Sequence, residues 1–221
     1  MEVDAVVVAA GSSQRFGEDK LLADLAGRPV LGWTLSALAA IPSIRAMVLV
    51  VHEQRLAEFE ELSERWAAGI PRCVVAGGER RRDSVAAGIE ATTSEFVLIH
   101  DGARPLITRE LVERCIEGVP SGGCAVPVIP ITDTVKEVKD GRVVAHPNRQ
   151  RLRAAQTPQV VHRNTWLRAA TMDARDETDD AAMIGRTGQK VVAVDGDPDN
   201  IKITRPGDLL LAGHILASRE A

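Results

Sequence analysis

The chain has 221 residues, of which 45% are hydrophobic and 26% charged, and its formal net charge is −4. These values describe an ordinary soluble globular chain, long enough to bury a substantial core in one domain. The acidic balance leaves no footprint for nucleic acid or an anionic membrane, and an aromatic content of 3% gives no stacking platform for single strands or carbohydrate.

No apolar run approaches the length that spans a bilayer, and Met1–Ala5 lacks the basic and apolar regions of a signal peptide. Cys73, Cys115 and Cys124 are odd in number and widely spaced, which suits neither a disulfide framework nor a zinc site. The expected compartment is a reducing cytoplasm.

In chain order, DAVVVAA (residues 4–10) is continuously apolar, which predicts a strand buried on both faces. It empties into Gly11-Ser12-Ser13, with Arg15 and Lys20 just beyond. Pro29 stands where a first helical turn tolerates it, and Leu31, Leu35 and Leu38 follow at helical spacing. AMVLVV (46–51) is a second strand, 53–68 an amphipathic, charge-laced helix, and CVVA (73–76) a third strand closed by Gly77-Gly78. DSVAAGIEA (83–91) opens on Asp83 and Ser84, good capping residues, and predicts the next helix. EFVLIHDGARP (95–105) is a fourth buried strand that ends abruptly in polar residues, and GCAVPV (123–128) and KVVAV (190–194) complete the set. Strands alternating with helices indicate a single α/β domain over residues 1–221, built on a mostly parallel sheet flanked by helices.

One segment breaks this rhythm. Residues 131–148, ITDTVKEVKDGRVVAHPN, are two short alternating runs around Asp140-Gly141, a strong hairpin signal. Two readings stand side by side: a surface hairpin that extends the sheet edge, or a projecting arm that needs a partner chain to bury Val135, Val138, Val143 and Val144.

In open α/β sheets, ligands sit beyond the carboxyl ends of the strands, where small residues let backbone amides approach them. Ala9-Ala10-Gly11-Ser12-Ser13 meets that requirement, yet it is neither a P-loop nor a dinucleotide fingerprint, because the required lysine and glycines are missing. Free amides followed by two cations suit a polyphosphate. Against this, the commoner fate of an arginine and a lysine is a solvated surface.

AAGSSQRFGEDK, GGERRRDSV, HDGARP, QTPQ and NIKITRP occur in this order and, taken as a series from Val3 to about Leu211, resemble the 2-C-methyl-D-erythritol 4-phosphate cytidylyltransferase family. The loop between Arg15 and Lys20 is shorter than in some members. The resemblance implies a Rossmann-like nucleotidyltransferase fold with an inserted hairpin arm at 131–148 that reaches a neighbouring subunit, making a homodimer. It implies that CTP and a sugar-alcohol phosphate are joined with release of pyrophosphate, and that Arg15 and Lys20 stabilise the transition state. Ala9, Ala10 and Gly11, with Gly78 and Ser84, are implied to hold the nucleotide, joined by Asp101, Gly102 and Ala103. Asp101 is further implied to help hold Mg²⁺, or another divalent cation, arriving with the triphosphate, although a carboxylate after a strand also serves as a turn cap. Arg104, Arg149, Thr157, Thr178 and Lys202 are implied to contact the acceptor, and Thr134 to complete the partner's site. Thr178 is equally a candidate helix cap. Arg80, Arg81 and Arg82 resemble a phosphate trap, but a solvated charge run is the better reading for most of them. His100 reads as structural.

Three rivals are carried forward. A cytidylyltransferase for another polyol phosphate, such as ribitol 5-phosphate, would share most of these motifs. A nicotinamide-dependent oxidoreductase would use a related layered fold, but G-x-G-x-x-G and a clear acidic ribose partner are missing. A non-catalytic nucleotide-binding regulator would tolerate loss of the two cations.

Overall fold

The structure, a computed structural model, describes residues 1–11, 16, 19–172 and 179–220. Its elements in chain order are β1 (Val3–Val8), β2 (Asp24–Leu25), β3 (Arg28–Pro29), α1 (Val30–Ala39), β4 (Ile44–Val51), α2 (Leu56–Trp66), β5 (Arg72–Ala76), α3 (Arg81–Glu90), β6 (Phe96–Asp101), α4 (Arg109–Gly118) and β7 (Cys124–Pro130). There follow β8 (Glu137–Lys139), β9 (Arg142–Ala145), β10 (Arg153–Ala155), β11 (Gln159–His162), α5 (Arg163–Met172), α6 (Asp180–Arg186), β12 (Val191–Asp195) and α7 (Pro206–Glu220).

Eight strands form the central sheet. β5, β4, β1 and β6 lie side by side and parallel; β11 then runs the other way between β6 and β7, β10 pairs antiparallel with β7 alone, and β12 pairs parallel with β7. The sheet is therefore mostly parallel, as the alternating pattern predicts. The reversed segment at 153–162 is the addition. Its two strands are only three and four residues long, interrupted by Pro158, so no periodicity announces them.

Both faces of the sheet are covered, which is why the strands read as unbroken apolar runs. Ala5, Val7, Met47, Leu49 and Leu98 face α1, α2 and α4, where Leu31, Leu35, Leu38, Phe59 and Leu111 meet them. Val6, Val48, Val50, Val97 and Ile99 face α3, α5 and α6, against Val85, Ile89, Trp166 and Ile184. A third cluster of Leu25, Val30, Leu106, Ile203, Ala212 and Leu216 seats α7 on the β2–β3 ribbon. Among the described residues, no helix is long and apolar enough to cross a membrane.

Two helix starts differ from the sequence expectation. Pro29 caps α1 from the extended region rather than entering its first turn. α3 begins at Arg81, not at Asp83: Arg80 is the cap, and Asp83, at the third helical position, accepts from the Arg80 backbone N–H at 3.4 Å. This shift places Arg81 on the first turn, facing the strand ends.

The hairpin forms around Asp140 and Gly141, both at positive φ, as a tight turn of the primed kind requires. β8 and β9 pair with each other and form a sheet separate from the central one, so the hairpin does not extend the edge of that sheet. Val138, Val143 and Val144 are each more than half exposed on it, at 60%, 51% and 54%.

Gly88 sets how closely α3 lies on the sheet. A Cβ there would run into Val6 and lie 2.8 Å from Val50 Cγ2. Gly88→Ala will therefore destabilise the fold by about 2 kcal/mol in urea denaturation, even though alanine gains roughly 1 kcal/mol in helix propensity, because overpacking outweighs the propensity gain.

Candidate active site

The carboxyl ends of β1, β4, β5 and β6 finish level with one another: Val8 is in register with Val50 and Asp101, and Val51 with Ala76. The turns that follow converge on a cavity of about 340 Å³ whose lining includes Ala9, Ala10, Gly11, Lys20, Gly78, Ser84, Asp101, Ala103 and Lys202. Gly11 is exposed and an added Cβ there would meet nothing within 4 Å, so the backbone after β1 is bare toward this space.

The opposite wall of the cavity is the Gly77-Gly78 turn. A Cβ on Gly77 would lie 2.7 Å from Ser84 Oγ and 2.9 Å from Ala10 Cβ, so the turn can lie against the first loop only as glycine. Ser84 is buried, and its hydroxyl accepts from the Gly78 N–H and donates to the Gly78 carbonyl, each at 3.2 Å. Its polar atom is thus engaged in shaping the turn.

A second cavity of about 290 Å³ opens on the other side of Asp101, lined by Arg104, Ala155, Gln156, Thr157, Gln159 and Asp179. Arg81, Asp101 and Lys202 line both cavities and form the wall between them. The antiparallel run of β11 makes this possible. Gln159 pairs with Ile99, so the residues just before β11 arrive at the carboxyl end of β6. β12, parallel to β7, delivers the loop bearing Lys202 to the same edge.

The wall is an ion cluster. Lys202 Nζ lies 2.8 Å from Asp101 Oδ2, Arg104 Nε 3.7 Å from the same oxygen, and Arg81 Nη2 3.9 Å from Oδ1. Burial by itself would raise the Asp101 carboxyl, but Lys202, Arg81 and Arg104 outweigh it and hold the group well below the usual carboxylate range. Arg81 also pairs with the buried Asp180, Nη1 to Oδ2, at 2.8 Å. Arg104 donates to the Asn200 carbonyl at 2.7 Å.

Beneath the cluster lies a neutral network. Thr157 Oγ1 accepts from the Asp101 backbone N–H and pairs with His100 Nδ1, both at 3.1 Å, while His100 Nε2 faces the Arg104 carbonyl at 3.2 Å. One tautomer satisfies every group: His100 donates from Nε2 to Arg104 and accepts the Thr157 hydroxyl proton at Nδ1. Asn200 donates to the Thr157 carbonyl at 2.8 Å, and Gln156 ties the same strand to the backbone of Asp197.

The sequence-predicted residues therefore fall into distinct places. Ala9, Ala10, Gly11, Lys20, Gly78, Ser84, Asp101 and Ala103 meet at the first cavity, and Arg104 and Thr157 at the second, with Lys202 shared. Thr157 is buried with its hydroxyl occupied, which makes it a support for Asp101. Gly102 sits below the cavity, its N–H donating to Val8 and its carbonyl accepting from Thr34, and an added Cβ would meet Leu31 at 3.0 Å. Thr134 and Arg149 are exposed near the arm, outside these two cavities, Arg149 donating to the Thr132 carbonyl. Arg15 and Thr178 lie outside the described residues.

Arg81, Asp180, Gln156 and Asn200 are the participants that sequence reasoning missed. For Arg81 the only signal was the run Arg80-Arg81-Arg82, which suggests either a phosphate trap or a solvated charge run. Arg80, by contrast, is spent on the Asp83 carboxylate at 2.8 Å.

Burial pushes the His100 imidazole down to about 4 from its ordinary 6.5. His100 is therefore neutral in the fold where the unfolded chain binds a proton, so it contributes a loss of stability as pH falls from about 6.5 toward about 4. NMR titration will show the His100 ring unchanged through the window in which an ordinary imidazole protonates.

The family model for IspD, 2-C-methyl-D-erythritol 4-phosphate cytidylyltransferase, matches residues 3–218. A curated relative of that name from Bacillus licheniformis is 38% identical over 227 residues, covering 100% of this chain and 98% of the relative. One from Streptomyces avermitilis is 40% identical, covering 97% of this chain and 92% of the relative. The crystal structure of 4-diphosphocytidyl-2C-methyl-D-erythritol synthase from Anaerococcus prevotii superposes with a TM-score of 0.85 at 28% identity, covering 98% of each chain. The chain belongs to the 2-C-methyl-D-erythritol 4-phosphate cytidylyltransferase family.

Proposed function

We propose that this protein joins CTP to 2-C-methyl-D-erythritol 4-phosphate, releasing pyrophosphate, in isoprenoid precursor synthesis. The observation that carries this reading is the pair of cavities with a common cationic wall. A bare-backbone cavity suits the nucleotide, a more polar one suits the acceptor, and Arg81, Asp101 and Lys202 stand where their phosphates would meet. Membership of a cytidylyltransferase family displaces the oxidoreductase alternative.

The acceptor phosphate monoester has a second pKa of about 6 and is largely a dianion at neutral pH, so it needs no general base. One of its oxygens attacks the α-phosphorus of CTP; the new O–P bond forms as the bond to the β-phosphate oxygen breaks, and pyrophosphate leaves with that electron pair. Catalysis then consists of alignment and neutralisation of charge. We assign Lys20 at the nucleotide cavity, with Arg15 beside it in sequence, to the charge on the transferring and departing phosphates. Lys202 is assigned to the acceptor phosphate, with Arg149 and Thr134 reaching an acceptor from the arm side. His100, neutral and buried, is unsuited to proton transfer with substrate.

A resident metal is a poor fit: among the described residues no three His, Cys, Asp or Glu side chains group together. A divalent cation delivered on a triphosphate draws most ligands from phosphate and water and takes one or two carboxylates, of which Asp101 would be one. Such an ion would supply further charge neutralisation on the triphosphate.

Lys20→Ala is expected to lower kcat by roughly 10²-fold or more with a much smaller change in CTP affinity, whereas Lys202→Ala raises the acceptor KM. A pyrophosphate-release assay with 2-C-methyl-D-erythritol 4-phosphate and ribitol 5-phosphate in parallel checks both. Near wild-type turnover by Lys20→Ala, or a higher kcat/KM for the ribitol substrate, would sink the corresponding assignment.

We further assign the arm to a second copy of this chain, because its paired valines Val138 and Val143 share one exposed face with no core of their own. Val138→Asp combined with Val143→Asp will convert a dimer to a monomer in sedimentation equilibrium.

A further inference from the structure

The cationic wall has a support that touches neither cavity. Asp180 is buried on the first turn of α6, and its two carboxylate oxygens are used separately. Oδ1 accepts from Trp166 Nε1 at 2.8 Å, and Oδ2 faces Arg81 Nη1 at 2.8 Å. Trp166 is fully buried, so the indole fixes the carboxylate and the carboxylate fixes the guanidinium.

The consequence for Arg81 is geometric. Its other terminal nitrogen, Nη2, stands 3.9 Å from Asp101, too far for a hydrogen bond, while Lys202 holds Asp101 at 2.8 Å from the other side. A half-buried arginine between two carboxylates can close on either of them. Asp180, locked by Trp166, keeps Arg81 from collapsing onto Asp101 and leaves part of its fork directed at the two cavities it lines.

We infer that Asp180 is a positioning residue for the phosphate-transfer step, acting through Arg81, which serves as a further phosphate-binding cation at the boundary between nucleotide and acceptor. This rests on the function proposed above. The contribution belongs to the transition state, where charge gathers at that boundary, and so falls mainly on kcat.

The test is a double-mutant cycle with a conservative rescue. Asp180→Asn keeps the volume and an oxygen for Trp166 but loses the charge, and Arg81→Met keeps the apolar stem alone. Each is expected to lower kcat, Arg81→Met by roughly 10²-fold and Asp180→Asn by roughly tenfold, with the CTP dissociation constant from calorimetry changed about twofold at most. The double variant should be no slower than Arg81→Met, because Asp180 has nothing to act through once the guanidinium is gone. Asp180→Glu, which keeps the charge, should regain part of the lost turnover. Multiplying effects in the double variant, or an Asp180→Asn protein that melts earlier but turns over normally, would overturn the inference while leaving the proposed reaction intact. Absence of turnover by the unaltered protein with CTP and 2-C-methyl-D-erythritol 4-phosphate would overturn both.

Discussion

The site is organised around one carboxylate that is surrounded by more positive charge than it can neutralise. Within these ion pairs Asp101 and Asp180 set two negative charges against the three positive charges of Lys202, Arg81 and Arg104, so the wall between the cavities keeps one positive charge in excess. That excess is what two phosphate-bearing substrates require, and it is created on a chain whose overall charge is −4. Local placement, not global charge, makes the anion site. The carboxylate in turn keeps three cations from repelling each other apart, and so holds in place the groups that it only partly neutralises.

The sheet supplies the rigidity for this arrangement. Level strand ends set the first loop, the glycine turn and Asp101 beside one another, while the reversed run into β11 brings Thr157 beneath them from the other direction. Thr157 and His100 satisfy each other and the Asp101 N–H without carrying charge. A charged support there would upset the electrostatics above it. Burial keeps the imidazole neutral, and the tautomer is fixed by its two partners.

Much of the architecture was legible in the residues. Buried parallel strands announce themselves as unbroken runs such as DAVVVAA, because both faces are covered, and the Asp140-Gly141 turn follows from positive φ at two successive positions. The loops at the strand ends carry side chains at intervals that the sheet brings together, and the series of motifs located them. What stayed hidden had no local pattern. β10 and β11 are too short and broken to show a period, and their reversal decides what Thr157 touches. Arg81 is indistinguishable in sequence from Arg80 and Arg82. Only its place on the first turn of α3, one residue past the cap, separates the partner of Asp180 from the helix cap Arg80. Asp180 was invisible for the same reason, since its partners Trp166 and Arg81 lie far away along the chain.

The arm leaves the domain after Pro130 and returns by Arg153, and these two residues face each other across the ladder between β7 and β10. Both roots of the excursion are thus stapled by the body of the protein, and the chain between them is topologically a side branch. Closing a longer or shorter branch over a fixed base changes the entropy only with the logarithm of its length. The segment is free to drift in size and sequence at small thermodynamic cost while the strands that hold the chemistry stay in register.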